Sequence, residues 1–380
     1  MSVNTTSQKL SSDVLVIGGG IQGASTAYHL AQRGVSVTVL EKDTVSRHAS
    51  GVNAGGVRLL GRNIAEVELS KAAMQRWQQL DDELDADTGF RRRSLINIAA
   101  DENDLDSLRS REQQMHSLGY FHEVMLDKRE LLERLPHVAD HCVGGVVSEQ
   151  DGYAIPFHST QAFRIAAERL GACFCEGELV EQIRKVGDSW LVDTKTQQYQ
   201  AEHLVNCAGA WGDLISVMIG DNVPMSYSAP MLMITARMPH FAGPVVGAVS
   251  RPLSFKQFEN GTVLIGGGAK GFADRANNTT RLDYSLMANG ARNAIEFFPI
   301  MKTACINRMW SGLEAYMPDN LPVLGKSMRA EKAYHAFAFS AHGFQLGPVI
   351  GEVMADLITQ GETRFDLEPL RVNRYERKTL

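Results

Sequence analysis

The chain has 380 residues, 44% of them hydrophobic and 22% charged, ordinary proportions for a globular protein long enough for two domains. A formal net charge of −6, with no basic block beyond Arg91–Arg93, which reads as a solvated loop, argues against a nucleic acid or an anionic membrane as partner. The opening MSVNTTSQKLSS lacks an apolar signal-peptide core, and no apolar run reaches membrane-spanning length, so a cytoplasmic protein without a transmembrane segment is expected.

Residues 13–41 read DVLVIGGGIQGASTAYHLAQRGVSVTVLE. A strand, VLVI, enters the turn Gly18-x-Gly20-x-x-Gly23, a helical pattern follows to about Gln32, and a second strand, SVTVL, ends at Glu41. This is a dinucleotide fingerprint in its strand, turn, helix, strand setting. Gly18 permits the tight turn, Gly20 lets backbone approach a pyrophosphate, and Gly23 lets helix and strand pack closely. Glu41 is placed to accept hydrogen bonds from the ribose hydroxyls. Lys42 follows it and, beside that carboxylate, gives no strong argument for a 2′-phosphate. The fingerprint does not choose between nicotinamide and flavin dinucleotides.

Three later stretches are rich in small residues that let backbone approach a flat, extended ligand. The first, SRHASGVNAGGVR (residues 46–58), contains Ser50, Ala54, Gly55 and Gly56; the second, LVNCAGAWGD (204–213), runs a strand through Ala208 and Gly209 into a helix. The third, SAHGFQLGPVIGEV (340–353), carries Gly343, Phe344, Gln345 and Leu346 ahead of a periodic apolar segment. Pro348 there reads as the first turn of a helix, whose free N–H groups suit an anion. Residues 266–271, GGGAKG, repeat the glycine pattern, but the following FADRANNTTRLDYS has no helical period and reads as a hairpin or loop. The cysteines Cys142, Cys173, Cys175, Cys207 and Cys305 are odd in number and lack C-x-x-C spacing, so they read as buried free thiols. Cys173 and Cys175, in the apparent strand FCE, are expected on opposite faces. No histidine cluster has metal-ligand spacing, and no metal is assigned.

The ordered set VLVIGGGIQGASTAYHLAQRG, NAGGVR, DGYAIPFHSTQAF, NCAGAW, WSGLEAYMPDNLPVLG and SAHGFQLGP resembles the flavin-dependent amine and amino-acid oxidoreductases that include glycine oxidase, sarcosine oxidase and D-amino-acid oxidase. The resemblance covers nearly the whole chain and is strongest to members like proline and hydroxyproline dehydrogenases and the sarcosine oxidase β-subunit. It implies an α/β fold: a doubly wound, Rossmann-like FAD domain from residues 1–88, 145–220 and 306–380, and a substrate domain from 89–144 and 221–305. The latter would hold an antiparallel sheet containing Met225–Arg237, Pro244–Val249, Leu253–Phe258 and Thr262–Gly266. The implied cofactor is FAD, with Val180 added to its contacts. It would be non-covalent, because the flavin-linked cysteine of monomeric sarcosine oxidase falls near Gly312. The C-terminal turn and helix, from His342 through Pro348, would lie beside the pyrimidine end of the flavin.

The implied reaction is hydride transfer from the carbon beside an amine to flavin N5, giving an imine, on a secondary amino acid such as D-hydroxyproline, proline or sarcosine. Two expected carboxylate-binding cations are absent: Glu314 stands where glycine oxidase has an arginine, and Gln345 where sarcosine oxidase has a lysine. The remaining candidates for a carboxylate clamp are Arg58 and Lys256. Glu314 could hold an amine or ring hydroxyl, or pair with an arginine, while Tyr316 and His342 are candidate polar groups of the pocket. The acceptor could be oxygen, a quinone or a partner subunit in a hetero-oligomer. Alternatives are a 2-hydroxy-acid oxidoreductase and a flavoprotein subunit of a multi-subunit dehydrogenase.

Overall fold

The computed structural model describes residues 10–376; most of MSVNTTSQKLSS, read as lacking a signal-peptide core, lies outside them. The opening strand, Leu10–Ile17, buries Val14, Leu15, Val16 and Ile17 in succession, as a strand covered on both faces requires. It sits within a parallel sheet whose strands lie in the order Cys173–Glu176, Val37–Glu41, Leu10–Ile17, Gln198–Asn206, Ala333–Phe337. The far edge of Gln198–Asn206 is shared. Its first half pairs antiparallel with Ser189–Thr194, and Leu204–Asn206 pairs with Ala333–His335.

Helices Ile21–Gln32, Pro156–Arg169 and Gly343–Thr359 cover one face of this sheet, burying Ala24, Phe163, Val349 and Val353 among them. The other face packs Leu15 and Ile17 against Trp190, Ile215 and Ile219. The sheet is therefore wound on both sides, from the start, middle and end of the chain.

A second, mixed sheet runs Thr279–Arg281, Lys270–Asp274, Ser226–Thr235, Val263–Gly266, Ser254–Gln257, Val245–Ala248, Leu95–Ala99, Gly144–Ser148, Val124–Asp127. All four strands expected for the substrate domain are present. One pairing, Val245–Ala248 with Leu95–Ala99, is parallel, so the sheet is not wholly antiparallel. Gly144–Ser148 pairs in this sheet, as do Ile306–Ser311 and Glu314–Tyr316 along Ser226–Thr235. Gly144–Ser148 and Ile306–Ser311 thus pair within the second sheet, where the sequence reading begins segments of the first unit at 145 and 306.

The stretch FADRANNTTRLDYS forms a hairpin, Lys270–Asp274 with Thr279–Arg281. Its tip reaches the first unit, where Arg275 Nη1 donates to Asp213 Oδ1 (2.6 Å) and Asn278 Nδ2 to Asp43 Oδ2 (2.9 Å).

Three sequence readings need correction. The final helix begins at Gly343, so Pro348 lies inside it and not in its first turn. Arg91–Arg92 is a short strand paired with Gly152–Tyr153. Cys142 and Cys207 are buried, but Cys173 and Cys305 are exposed and Cys175 half-buried. The sulfurs of Cys173 and Cys175 lie 3.8 Å apart, because residues two apart on a strand share a face. Among the described residues no helix is long and apolar enough to cross a membrane.

Helices Ile21–Gln32 and Gly343–Thr359 approach so closely that a Cβ on Gly347 would lie 2.7 Å from Ile21 Cγ1, and one on Gly351 would lie 2.2 Å from Ser25 Oγ and 2.4 Å from its carbonyl carbon. Backbone cannot yield as a side-chain tip can. Gly351→Ala is therefore expected to cost about 1–3 kcal/mol in urea unfolding. Gly243→Ala, where a Cβ meets nothing within 4 Å, should leave the midpoint nearly unchanged. Equal midpoints for the two would show that the helix pair is loose.

Candidate functional site

A cavity of about 630 Å³ runs between the two units, lined at one end by Gly18, Gly20 and Glu41 and at the other by Lys256, Glu314 and Tyr316. The fingerprint turn builds the first end. Gly18 has φ +108°, and a Cβ there would lie 2.4 Å from Cys207 O; one on Gly23 would lie 1.9 Å from Gly18 O. Gly23 therefore serves helix–strand packing and does not line the cavity. The Glu41 carboxylate accepts from the Gly19 N–H (2.7 Å) and the Asp43 N–H (2.9 Å), one bond to each oxygen. Burial raises its pKa, while the two N–H groups hold it in place with lone pairs left for hydroxyl donors. Lys42 lies 3.9 Å over the Trp211 ring and pairs with Asp43 at 2.5 Å, bracing the cavity edge.

Ser50 accepts from the Ile21 N–H (2.9 Å) at the start of the nucleotide helix. Ala54, Gly56, Val180, Ala208 and Gly209 line the cavity, whereas Gly55, at φ +69°, packs on Ala154 O behind the wall. Gly343 and Phe344 line it from the opposite side, at the start of a helix with no side-chain cap. Ahead of that helix Ala338, Ser340 and Ala341 all have positive φ. The Ser340 N–H donates to Ala315 O and its Oγ accepts from Met317 N–H, both at 3.2 Å. The strained loop is thus fastened to the strand that carries Glu314 and Tyr316.

At the second end, Lys256 is 2% exposed, donates to Ala54 O, and stands over the rings of Tyr153 and Phe258. Burial without a carboxylate partner pushes its amine down to about 7, which excludes a solvated strand lysine. Glu314 Oε2 accepts from the Tyr316 hydroxyl at 3.1 Å. Burial raises the pKa of both groups. Among the described residues Glu314 has no ion-pair partner, so the arginine pair considered from sequence does not form. Arg58 lines the cavity and donates from Nη1 to Leu60 O (2.7 Å).

Two expected site residues act from behind the wall. His342 does not line the cavity; its Nδ1–H donates to the buried Glu66 Oε2 (2.9 Å), and burial lowers its pKa. Gln345 is fully buried, donates to Ser70 O (2.9 Å) and accepts from Arg62 Nη2 (3.2 Å); Leu346 belongs to the core.

Sequence reasoning missed Arg62. It lines the cavity, is 1% exposed, and its Nη1 has no hydrogen-bond partner among the described residues. Burial, with the neighbouring Arg58 guanidinium, presses it down to about 9, still charged at neutral pH. A second arginine four positions after Arg58 in a cofactor segment was the available signal. Asn97, also on the wall, had none. Gln22 Oε1 and Ser46 Oγ are likewise buried at the cavity without partners, and such orphans point to polar groups supplied by a ligand.

Comparison with known proteins agrees with this geometry. Residues 13–357 match the family model described as FAD dependent oxidoreductase. The structure is similar to that of glycine oxidase from Geobacillus kaustophilus, with a TM-score of 0.90 and 26% identity over 97% of this chain and 100% of that one. It is similar to L-proline dehydrogenase from P. horikoshii, with a TM-score of 0.90 and 25% identity over 97% and 99%. In sequence it is 24% identical to one of the subunits of opine oxidase from Rhizobium meliloti, over 96% of this chain and 98% of the relative. Fingerprint, two-ended cavity and family match together show that the chain belongs to the FAD-dependent oxidoreductases.

Proposed function

We propose that the chain oxidises the C–N bond of a secondary amino acid of the D-hydroxyproline, proline or sarcosine type. One observation carries this reading: among the described residues the same cavity holds a buried guanidinium with an unpartnered N–H, on Arg62, and a half-buried carboxylate with no cation at salt-bridge distance, on Glu314, Lys270 standing instead over the neighbouring Tyr316 ring. A zwitterion satisfies both, its carboxylate on the arginines and its amine on Glu314. A 2-hydroxy acid would leave the Glu314 carboxylate unpaired, which is costly away from water.

Arg62, held by Gln345, and Arg58 beside it would orient the substrate carboxylate through the forked donor geometry of guanidinium. Glu314, its proton affinity raised by burial and its Oε2 fixed by Tyr316, would take the proton from the substrate amine. FAD, when bound, supplies the two-electron acceptance that leaves an imine. The residues present fit it: orphaned Gln22 and Ser46, the fixed Glu41 carboxylate, and two helix starts on one cavity. A Cβ on Gly312 would lie 2.3 Å from Val52 Cγ2, leaving no room for a flavin-linking cysteine unless Val52 moves, which supports non-covalent binding. Lys256, a buried amine facing the cavity, supports oxygen as acceptor and hydrogen peroxide as co-product. Likeness to an opine oxidase subunit supports a second reading, in which a partner subunit takes the electrons.

The test is to mix the purified chain anaerobically with secondary amino acids and 2-hydroxy acids and follow the flavin band. Bleaching by a cyclic or N-methyl amino acid supports the proposal; bleaching by 2-hydroxy acids alone sinks it. Readmitted air should then yield peroxide, whereas a reduced flavin that persists in air favours the partner subunit.

Arg62→Met is expected to raise KM for the amino acid by roughly ten- to a hundredfold, the worth of a hydrogen-bonded charge, with FAD still bound. An unchanged KM would remove Arg62 from the carboxylate site. For Lys256 the linkage is with pH. Between about 7, its folded value, and about 10.4, the ordinary lysine value, the unfolded chain binds a proton that the folded apoprotein does not. Stability gained from this group therefore rises with pH across that window. Lys256→Met should flatten the slope in urea titrations of the apoprotein; an identical slope would place a partner beside the amine.

A further inference from the structure

The Cys173 and Cys175 sulfurs converge to 3.8 Å on an outer strand, with Cys173 exposed and Cys175 half-buried. Among the described residues the strand pairs with Val37–Glu41 alone, matching Cys173 to Thr38 and Cys175 to Leu40. Its continuation braces the loop that holds the Glu41 carboxylate. Glu176 Oε1 accepts from the Val45 N–H (2.7 Å), the Gly177 N–H donates to Asp43 O (3.0 Å), and the Glu178 N–H donates to Glu41 O (2.8 Å). Cys175 thus lies one residue from a scaffold that positions Glu41, and Cys173 three.

We propose that Cys173 and Cys175 are a reversible dithiol/disulfide pair, closed by a hydroperoxide, and that closure loosens the hold on FAD. Two positions along a strand are separated by about 6.6 Å, the upper end of the roughly 4.4–6.8 Å that a disulfide spans between Cα atoms. Closing the bond must therefore pucker an edge strand that has a neighbour on one side only. The strain falls on Glu176–Glu178 and, through them, on Glu41. A strained, exposed disulfide is also readily reduced, so the pair is a switch and not a staple.

The chemistry balances with peroxide as the oxidant. The exposed Cys173 thiolate attacks one peroxide oxygen, the O–O bond breaks and hydroxide leaves, giving a sulfenic acid. The Cys175 sulfur then attacks the Cys173 sulfur, the S–O bond breaks, and water leaves as the S–S bond forms. Two thiols lose two protons and two electrons, and the peroxide becomes two waters. Burial raises the Cys175 thiol to about 11, in keeping with Cys173 as the first to react. The proposal rests on the oxidase reading only for the source of peroxide inside the cell.

The holoenzyme is treated with hydrogen peroxide and digested with trypsin. The segment 170–184 should lose about 2 Da, the two thiol hydrogens, and regain them with dithiothreitol. Cys305, exposed and without a neighbouring thiol, should instead gain oxygen and serves as the internal control. FAD titrated into the oxidised apoprotein should bind about three- to tenfold more weakly, the worth of one or two backbone hydrogen bonds, and recover on reduction. Cys175→Ser should abolish both the 2 Da loss and the affinity change. Oxygen added to Cys173 with no disulfide, or a disulfide that leaves FAD affinity unchanged, overturns the proposal. Because peroxide is added, a chain that proves not to be an oxidase leaves the test intact.

Discussion

The cavity depends on one contact, the close crossing of Ile21–Gln32 with Gly343–Thr359. Without side chains at Gly347 and Gly351, the helices meet backbone to side chain at Ile21 and Ser25. Polar bonds along the seam fix their register. Gln22 Nε2 donates to Gly343 O (2.7 Å), His29 bonds Pro348 O (3.1 Å), and Arg33 pairs with Asp356 at 2.5 Å. His29, pushed down to about 3 by burial, is neutral there, and its Nε2–H is the donor. Both helix starts are thereby brought to one cavity, each with the partial positive charge of its unpaired N–H groups. A dinucleotide whose middle is an anion, and whose ring gains negative charge on reduction, suits that arrangement.

The substrate end is costly to maintain. The Arg62 guanidinium and the Lys256 amine are withdrawn from water there and the Glu314 carboxylate is half-buried, none with an opposite charge at salt-bridge distance among the described residues, and three non-glycine residues ahead of the final helix adopt left-handed backbone, each at about 1–3 kcal/mol. The surrounding structure enforces these states. Ser340 ties the loop to the Glu314 strand, and Gln345 and the Arg58 carbonyl hold Arg62. Under the proposed reading a zwitterion would relieve two of the unpaired charges at once, and selectivity would arise from what the cavity lacks as much as from what it contacts.

The legible part of this molecule was its local geometry. Glycines at 18, 20 and 23, a carboxylate at 41 and the strand–turn–helix at 204–213 follow from backbone sterics within a few residues, and each is found where the spacing placed it. What escaped was set by tertiary burial. Arg62 reads as an ordinary charged residue until the fold removes it from water, and His342 and Gln345 carry the family turn yet face Glu66 and Arg62 from behind the wall. Pro348 misled because the helix draws its earlier turn from packing against residues about 320 positions away, which no local signal encodes. The segment starts read at 145 and 306 fall on strands, Gly144–Ser148 and Ile306–Ser311, whose partners in the second sheet are distant in sequence and leave no local signal.

The discontinuity of the first unit has a consequence for synthesis. Its opening strand, helix and second strand leave the ribosome long before Ala333–Phe337 and Gly343–Thr359. Until Gly343–Thr359 is made, a chain with the fingerprint formed keeps its helix seam uncovered, with Ala24, Ala27 and Tyr28 awaiting their cover. Contacts of such sequence separation form slowly and leave apolar surface open to aggregation. Nascent chains stalled before residue 333 should therefore be chaperone clients, and the cofactor cavity lacks its Gly343–Phe344 wall until that helix has been made.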